Sequence, residues 1–338
     1  MQRDDVRQGE VLSAFGVLPS ACAIAALGSA GGFSGARLWR IQSNQQTYCL
    51  RRWPAEQDAT RLRFVHGVLE FAGMQLDFVP RLQRTAAGET IVEAAGHAWE
   101  LATWLPGEAN FHQQPTAARL AAAMTALARL HVAWEYFPTR MTGLAASPGI
   151  GERLTRLAEI EQTLPAIEAA LPRAAPDLRA LAIPLVAHFR RRAGVVRGQL
   201  QAATQRQAML QPVLRDIWHD HVLFSGEAVT GIVDFGAVRI DTVATDLARL
   251  LGSLVGDDAT AWQQALLAYE AIRPLSADER ALLPAFDAST TLMSGMNWLV
   301  WLLVDARQFD DWPAIYRRWE EILRRLDHAG KQAPIELG

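Results

Sequence analysis

Two aspartates lie at opposite ends of a segment whose pattern is that of a tight hairpin. Residues 214–236 read LRDIWHDHVLFSGEAVTGIVDFG, with Asp216 near the start and Asp234 near the end. Strand-like stretches flank a short turn at Gly226, so closing the hairpin would bring the loop 216–221 and Asp234 to the same end. Two carboxylates so placed could hold Mg²⁺ against phosphate groups, and Asp216 could take a proton from an attacking hydroxyl. The alternative is that each aspartate only caps a turn or a loop.

The run His219-Asp220-His221 inside this segment offers a second kind of site. On an extended strand, His219 and His221 would point to the same face, as some zinc sites require. No His-Glu-x-x-His motif, cysteine cluster or third histidine at motif spacing accompanies them. A dedicated zinc site is therefore the less supported alternative, and Asp220, one residue out of phase, is expected to face solvent or to bond the loop.

Composition narrows the class of protein. The chain has 338 residues and a formal net charge of −3, which does not suggest nucleic-acid binding. Two cysteines, Cys22 and Cys49, are too few for a disulfide framework, which is typical of a reducing compartment. The first residues lack the apolar core of a signal peptide, and the longest apolar run, 292–304, is too short to span a bilayer. We expect a soluble, cytoplasmic protein.

Lysine is almost absent from the chain. Of the 33 lysine and arginine residues, only Lys331 is a lysine, and it lies in the C-terminal tail. A mechanism that requires a buried catalytic lysine is thereby excluded. Arginine differs from lysine, since its planar guanidinium is not a compact point charge.

The pattern of the chain changes near residue 105. Before it, short strand-like runs separated by turns predict an antiparallel sheet at 36–42, 47–53, 89–95 and 97–105. One helix interrupts them at 58–72, with a single apolar face. After it, helices are predicted at 114–135, two or three times within 151–208, and at 242–254, 258–271, 276–304 and 311–328. The fold class is therefore α+β with two lobes: a small β-rich N-lobe, 1–104, and a larger, mainly helical C-lobe, 105–338.

Several short motifs together carry a family resemblance. Asp-Phe-Gly stands at 234–236 and Asp-Leu-Ala at 246–248, while ARLH occupies 128–131 and WLPGE occupies 104–108. With the first aspartate at Asp216, the chain resembles the aminoglycoside phosphotransferase and choline kinase-like enzymes, small-molecule relatives of the protein kinases. The resemblance covers about residues 28–328. It implies a protein kinase-like fold and transfer of the γ-phosphoryl group of ATP or GTP, with Mg²⁺, to a hydroxyl of a small molecule.

The resemblance also implies roles for individual residues. Asp216 would be the catalytic base, Asp234 would hold Mg²⁺, and Asp246 would be a helix N-cap that braces the catalytic loop. Backbone N–H groups of the glycine-rich turn 28–39 would cover the phosphates. The nucleotide contacts implied are Gly31, Gly32, Phe33, Ser34, Gly35, Arg51 and, at the segment joining the lobes, Ala102 and Thr103.

Four departures from the family pattern bear on turnover. Arg51 replaces the lysine of the third strand, and Val65 takes the place of its helix glutamate, with Glu70 well around the helix. His221 replaces the metal-binding asparagine, and Leu214 replaces the histidine of the catalytic motif. A degenerate kinase that binds a nucleotide, a small ligand or a protein without turnover is the alternative. Both aspartates survive, which favours an active enzyme.

The acceptor site is expected among the C-terminal helices. Tryptophans and acids are frequent there, and Asp305 and Asp310 could contact a cationic amine whose charge also suits an aromatic face. The alternative for Trp298 and Trp301 is ordinary core packing. The residues do not choose among an aminoglycoside, choline, a sugar or a homoserine-like alcohol, and the oligomeric state stays open.

Overall fold

The structure is a computed structural model that describes residues 2–28, 35–43, 46–139, 143–309 and 311–329. Its helices are α1 (Gln2–Ala14), α2 (Ala59–Gly73), α3 (Ala117–Trp134), α4 (Pro148–Ala170), α5 (Pro176–Ala203), α6 (Ala244–Val255), α7 (Ala259–Glu270), α8 (Ala277–Leu299) and α9 (Trp312–Ala329). Its strands are β1 (Cys22–Gly28), β2 (Arg37–Ser43), β3 (Thr47–Arg52), β4 (Val92–Ala94), β5 (His97–Thr103), β6 (Gly143–Ala145), β7 (Ala208–Val213), β8 (Val222–Ser225), β9 (Ala228–Ile232) and β10 (Arg239–Asp241).

The chain divides into two compact units. The first comprises Met1–Phe137 and Asp220–Val238, and the second comprises Pro138–His219 and Arg239–Gly338. Helix α3 and the hairpin β8–β9 fall in the first unit, because α3 packs against α2 and β9. This division differs from the lobe boundary predicted after residue 104.

In the first unit, five of the described strands form an antiparallel sheet of order β1–β2–β3–β5–β4. Side chains alternate between its faces. One face buries Trp39, Ile41, Leu50, Trp99 and Leu101 against α1, and the rings of Trp39 and Trp99 stack with centroids 5.4 Å apart. The opposite face therefore carries Arg51 and its neighbours, on the side where α2 packs.

Local sequence explains where α2 and the hairpin begin and turn. Asp58 caps α2 by accepting a hydrogen bond from the backbone N–H of Thr60 at 2.9 Å. The hairpin β8–β9 closes through Gly226, whose φ of +60° is the left-handed conformation that glycine adopts without strain. The tight hairpin predicted between Asp216 and Asp234 is thus confirmed.

The second unit is mainly helical. Helix α8 packs against α4, α5, α6 and α9, and its N-terminus carries a capping box in which Ser276 and Glu279 bond each other's backbone N–H. A small described sheet of order β10–β7–β6 places β7 directly before the loop that contains Asp216. Helix α6 follows β10 after a short turn and lies where it can bond that loop.

The predicted helices match α2 to α9 closely, and the predicted strands match β2 to β5. Helix α1 and strand β1 were not predicted. The interpretation of His219 and His221 as residues of an extended strand is wrong, since His219–His221 is a turn of 3₁₀ helix. In a 3₁₀ helix, side chains two residues apart do not point to the same face as they do on a strand, so His219 and His221 are not aligned. Asp220 is exposed, as predicted. None of the described helices is long and apolar enough to cross a membrane.

Candidate functional site

Asp234 occupies a strained backbone conformation in the first unit. Its φ and ψ are 63° and 70°, in the left-handed region that non-glycine residues rarely adopt. Such a conformation costs about 1–3 kcal/mol and tends to occur at functional sites. The following residue, Phe235, is buried and meets Trp134 of α3 edge-on, with ring centroids 6.0 Å apart. Arg61 of α2 donates to the carbonyls of Gly236, at 3.2 Å, and Val238. This packing offsets the strain at Asp234.

Arg51 lies beside the Asp234 carboxylate. Its Nη1 donates to Asp234 Oδ1 at 3.2 Å, and its guanidinium lies over the Trp53 ring, 4.8 Å from the centroid. Burial raises the pKa of Asp234, but Arg51 and His221 lower it, and the net effect is a pKa below the ordinary value. The carboxylate is therefore ionised at neutral pH.

The partner carboxylate that helix α2 lacks comes from a strand. Glu100 of β5 is directly opposite Arg51 in the sheet register, and its Oε1 lies 3.7 Å from Arg51 Nε. Trp53 Nε1 donates to Glu100 Oε2 at 2.9 Å, and His66 Nε2 of α2 lies 2.7 Å from the same oxygen. Glu70 instead pairs with Arg84, as expected of a residue facing away. Arg51 is thus held between two carboxylates.

The donor set around Asp234 is compatible with Mg²⁺ that is held largely by phosphates. His221 Nε2 lies 3.8 Å from Asp234 Oδ2, so these two predicted ligands are neighbours. Across the described residues, no three His, Cys, Asp or Glu side chains form a cluster that could hold a metal ion. Magnesium, in contrast, commonly takes one or two carboxylates and completes its shell with phosphates and water.

The loop that carries Asp216 lies in the second unit and is held by hydrogen bonds to Asp246. The backbone N–H groups of Leu214 and Arg215 donate to the two carboxylate oxygens of Asp246, at 2.7 and 2.6 Å. Asp246 is fully buried, so both bonds are shielded from water. Helix α6 begins at Ala244, which places Asp246 in its first turn; the expectation that Asp246 is the N-cap is wrong, since Val243 holds that position.

Asp216 itself is exposed. Arg249 of α6 donates from Nη2 to Asp216 Oδ1 at 2.5 Å. The preceding residue, Arg215, has a φ of 65°, a second left-handed non-glycine conformation beside a predicted catalytic residue. Leu214, which replaces the histidine of the family motif, is buried and packs as a core residue.

The predicted nucleotide contacts are only partly described. Gly31, Gly32, Phe33 and Ser34 lie outside the described residues, and Gly35 has a φ of 75°. Ala102 is buried opposite Cys49 in the sheet. The backbone N–H of Thr103 donates to Arg81 O at 2.9 Å, and its hydroxyl accepts from Arg81 N–H at 2.9 Å. The backbone N–H of Thr103 is therefore already hydrogen-bonded within the protein.

The predicted acceptor residues lie at the end of α8 and beyond it. Asp305 pairs with Arg307 at 3.5 Å, and that arginine covers the Trp301 ring at 5.2 Å from its centroid. Trp298 is buried and meets Trp301 edge-on, which agrees with core packing. Asp310 lies outside the described residues. The Trp301 ring, whose aromatic face could have bound a cationic amine, is thus already covered by Arg307.

Sequence reasoning missed Glu100, His66 and Arg249. Glu100 could have been found from strand pairing, because a residue opposite Arg51 on the same face of the sheet is a candidate partner. His66 follows the position of the expected helix glutamate by one residue. No sequence signal placed Arg249 beside Asp216.

Comparison with known proteins places the chain in a family. A model of the phosphotransferase enzyme family matches residues 27–284. A homoserine kinase of Methylobacterium radiotolerans is 29% identical over 286 residues, which cover 80% of this chain and 82% of that protein. A spectinomycin phosphotransferase solved with ADP and spectinomycin superposes with a TM-score of 0.66 at 11% identity, over 97% of this chain and 98% of that one. A microcompartment-associated aminopropanol kinase gives 0.61 at 15% identity, over 95% and 96% of the two chains.

The chain belongs to the phosphotransferase enzyme family, the family of the aminoglycoside phosphotransferases, and has their protein kinase-like fold. It is a small-molecule kinase. The resemblance drawn from the motifs is confirmed.

Proposed function

We propose that this protein transfers the γ-phosphoryl group of a nucleoside triphosphate to a hydroxyl of a small molecule, with Asp216 as the base and Asp234 as the Mg²⁺ ligand. The observation that carries the proposal is the anchored Asp234 carboxylate, ionised and paired with Arg51 in a segment that retains Asp-Phe-Gly. A strained, ionised carboxylate beside a cation is suited to a site that gathers metal and phosphate.

Asp234 would hold the metal, and His221, whose Nε2 lies 3.8 Å from Asp234 Oδ2, would lie beside it. Bound Mg²⁺ would neutralise charge on the β- and γ-phosphates. Arg51 could contact phosphate oxygens in bidentate fashion once released from Asp234. Because Glu100 also pairs with Arg51, the guanidinium would keep its position when Asp234 turns to the metal.

Asp216 would orient the acceptor hydroxyl and take its proton. Arg249 fixes the carboxylate through Oδ1, so Oδ2 would receive the proton. Asp246 would keep the loop in place by its bonds to the backbone of Leu214 and Arg215. Homoserine, the substrate in the name of relatives at up to 29% identity, is the first acceptor to test.

Phosphoryl transfer to a panel of small alcohols, with ATP or GTP and Mg²⁺, tests this proposal. Replacing Asp216 with Asn should lower kcat by about 10²- to 10⁴-fold, because the hydroxyl loses its proton acceptor. Nucleotide affinity should not change. Asp220→Asn, four residues further on and exposed, is the matched control and should keep its turnover. Undiminished turnover in Asp216→Asn would show that another group is the base.

The Arg51–Asp234 ion pair must open before Asp234 can ligate Mg²⁺. A pair that never opens would leave nucleotide binding indifferent to Mg²⁺ and would allow no transfer to any alcohol, and that result would overturn the proposal.

A further inference from the structure

Several arginines lie on the segments next to Asp216 in the second unit. Arg249 contacts Asp216 directly, and Arg215 Nη2 pairs with Glu152 at 2.7 Å. Arg153, the next residue of α4, lies near both arginines, since burial together with Arg215 and Arg249 lowers its pKa to about 10. Four arginines therefore lie in this region: Arg249 contacts the base, Arg215 and Arg239 lie near Glu152, and Arg153 lies near Arg215 and Arg249.

Arg153 differs from the other arginines of the group. Its Nη2 donates to Thr290 Oγ1 at 3.2 Å, and its guanidinium lies over the Phe286 ring, 5.0 Å from the centroid. It makes no ion pair with any described carboxylate, and its Nε is buried without a hydrogen-bond partner. A partly buried guanidinium without a counter-ion is costly unless an anion arrives.

The nearby acids are already engaged. Glu152 pairs with Arg215 and Asp216 with Arg249, while Asp241 accepts from Ser147 Oγ at 2.5 Å and from Gly149 N–H at 3.1 Å. Burial raises the pKa of Asp241 above its ordinary value. None of these three acids forms an ion pair with Arg153, so its guanidinium keeps the capacity to bind an added anion.

We infer that the acceptor alcohol carries a carboxylate, and that Arg153 binds it while Asp216 meets the hydroxyl. The inference rests on the proposed function, since it concerns the acceptor of that reaction. Guanidinium groups recognise carboxylates by paired, charge-assisted hydrogen bonds, and the Phe286 face and Thr290 fix the plane of this one. A cationic acceptor would instead meet like charge at every arginine of the group.

A phosphate of the nucleotide is the other anion with the same chemistry. The acceptor is the favoured source, because Arg249 of the group contacts Asp216, which must meet the hydroxyl. Removing Arg153 distinguishes the two anions. It should weaken acceptor binding if Arg153 binds the acceptor carboxylate, and nucleotide binding if Arg153 binds a phosphate.

The first test uses the wild-type protein and matched alcohols. Homoserine is compared with 3-aminopropan-1-ol, and 4-hydroxybutanoate with propan-1-ol, since the members of each pair differ only in that hydrogen replaces the carboxylate. We expect kcat/KM to be about 10- to 100-fold higher for the carboxylate member of each pair, the range of a charge-assisted bond. Equal or better turnover of the carboxylate-free alcohols overturns the inference and leaves the proposed function intact. No transfer to any alcohol overturns both.

The second test replaces Arg153 with Met, which keeps the stem over Phe286. We expect KM for the carboxylate alcohols to rise about 10- to 100-fold, with kcat nearly unchanged and the preference within each pair largely lost. Calorimetric titration with the better acceptor should show the same loss of affinity. Arg156→Met, three residues along α4, removes an arginine already bonded to Glu159 and Asn297 and is the matched control. A fall in nucleotide affinity with unchanged acceptor affinity overturns the assignment in favour of phosphate.

Discussion

Glu100 lies directly opposite Arg51 in the register of β3 and β5, and the two side chains pair at 3.7 Å on the face of the sheet away from α1. His66 of α2 bonds the same glutamate, so helix and strand share the task of holding Arg51. An arginine in this position needs a different partner from a lysine, because its guanidinium reaches further. In this chain the carboxylate that pairs with Arg51 comes from strand β5 and not from helix α2.

Replacing Glu100 with Gln should therefore weaken nucleotide binding without removing any ligand of the metal. Arg51 would lose one of its two carboxylate partners and become free to stay with Asp234. We expect KM for the nucleotide to rise about tenfold and the free energy of unfolding to fall by about 1–3 kcal/mol, since the partner groups are polar and largely buried. Steady-state kinetics and urea unfolding measure the two effects.

Glu93→Gln on the adjacent strand is the control for that variant. Glu93 is exposed on β4, so its charge change should leave both quantities within about 0.5 kcal/mol. An unchanged nucleotide KM in Glu100→Gln would mean that Glu100 does not position Arg51.

The same pair predicts a pH dependence of stability. Burial raises the pKa of Glu100, but hydrogen bonding from His66 and the charge of Arg51 lower it, and the net value lies below the ordinary 4.5. Because the folded pKa is below the unfolded one, this stabilisation is present above pH 4.5 and is lost as pH falls through the folded value. The stability difference between wild type and Glu100→Gln, measured by urea unfolding from pH 7 to pH 3, should narrow below pH 4.5. A difference that widens on acidification would contradict the assigned direction.

Asp246 should matter for both folding and turnover. Asp246→Asn leaves one oxygen to accept from two backbone N–H groups, and an unmet buried donor costs about 1–3 kcal/mol. The loose loop should also lower kcat while nucleotide affinity stays the same. Asp258→Asn is the comparison, because that aspartate caps α7 at an exposed position. If both variants behave alike in thermal unfolding and kinetics, Asp246 does not hold the loop that carries Asp216.

Gly107 should tolerate no side chain. Its φ is 101°, and a Cβ there would meet Thr230 Oγ1 and stand 2.8 Å from the carbonyl oxygen of Phe224. Gly107→Ala should lower the free energy of unfolding by at least about 2 kcal/mol, from strain and from overlap together. Gly96→Ala, with a φ of 76° but open space, should lower it by about 1 kcal/mol. Equal effects of the two substitutions in urea unfolding would show that the overlap is relieved at no cost.

The sequence predicts the elements well because their periodicities are local. Leu62, Val65, Leu69 and Ala72 recur at helical spacing, and all four are buried in α2. Asp216 and Asp234 are proposed as site residues from motif spacing alone. Helix α1 escaped prediction because its early residues are mostly polar, and the core residues Val11, Leu12 and Phe15 come at its end and just after it.

Contacts between distant residues are what the sequence does not reveal. Arg249 lies 33 residues from Asp216, and its contact depends on how α6 returns to the loop. The left-handed conformations of Arg215 and Asp234 likewise depend on packing around them, since neither residue type demands it. The unpaired state of Arg153 is visible only once every nearby acid has been given a partner.

Thermal unfolding with ATP and GTP, each with and without Mg²⁺, tests most directly whether Asp234 assembles a metal–phosphate site. Ligand at 100 times its Kd adds about 2.7 kcal/mol of stability, enough for a measurable rise in Tm. The account predicts that Tm rises with at least one nucleotide when Mg²⁺ is present, and that Asp234→Asn abolishes the metal-dependent part. A rise that is the same without Mg²⁺ and in Asp234→Asn, or no rise at all, would contradict it.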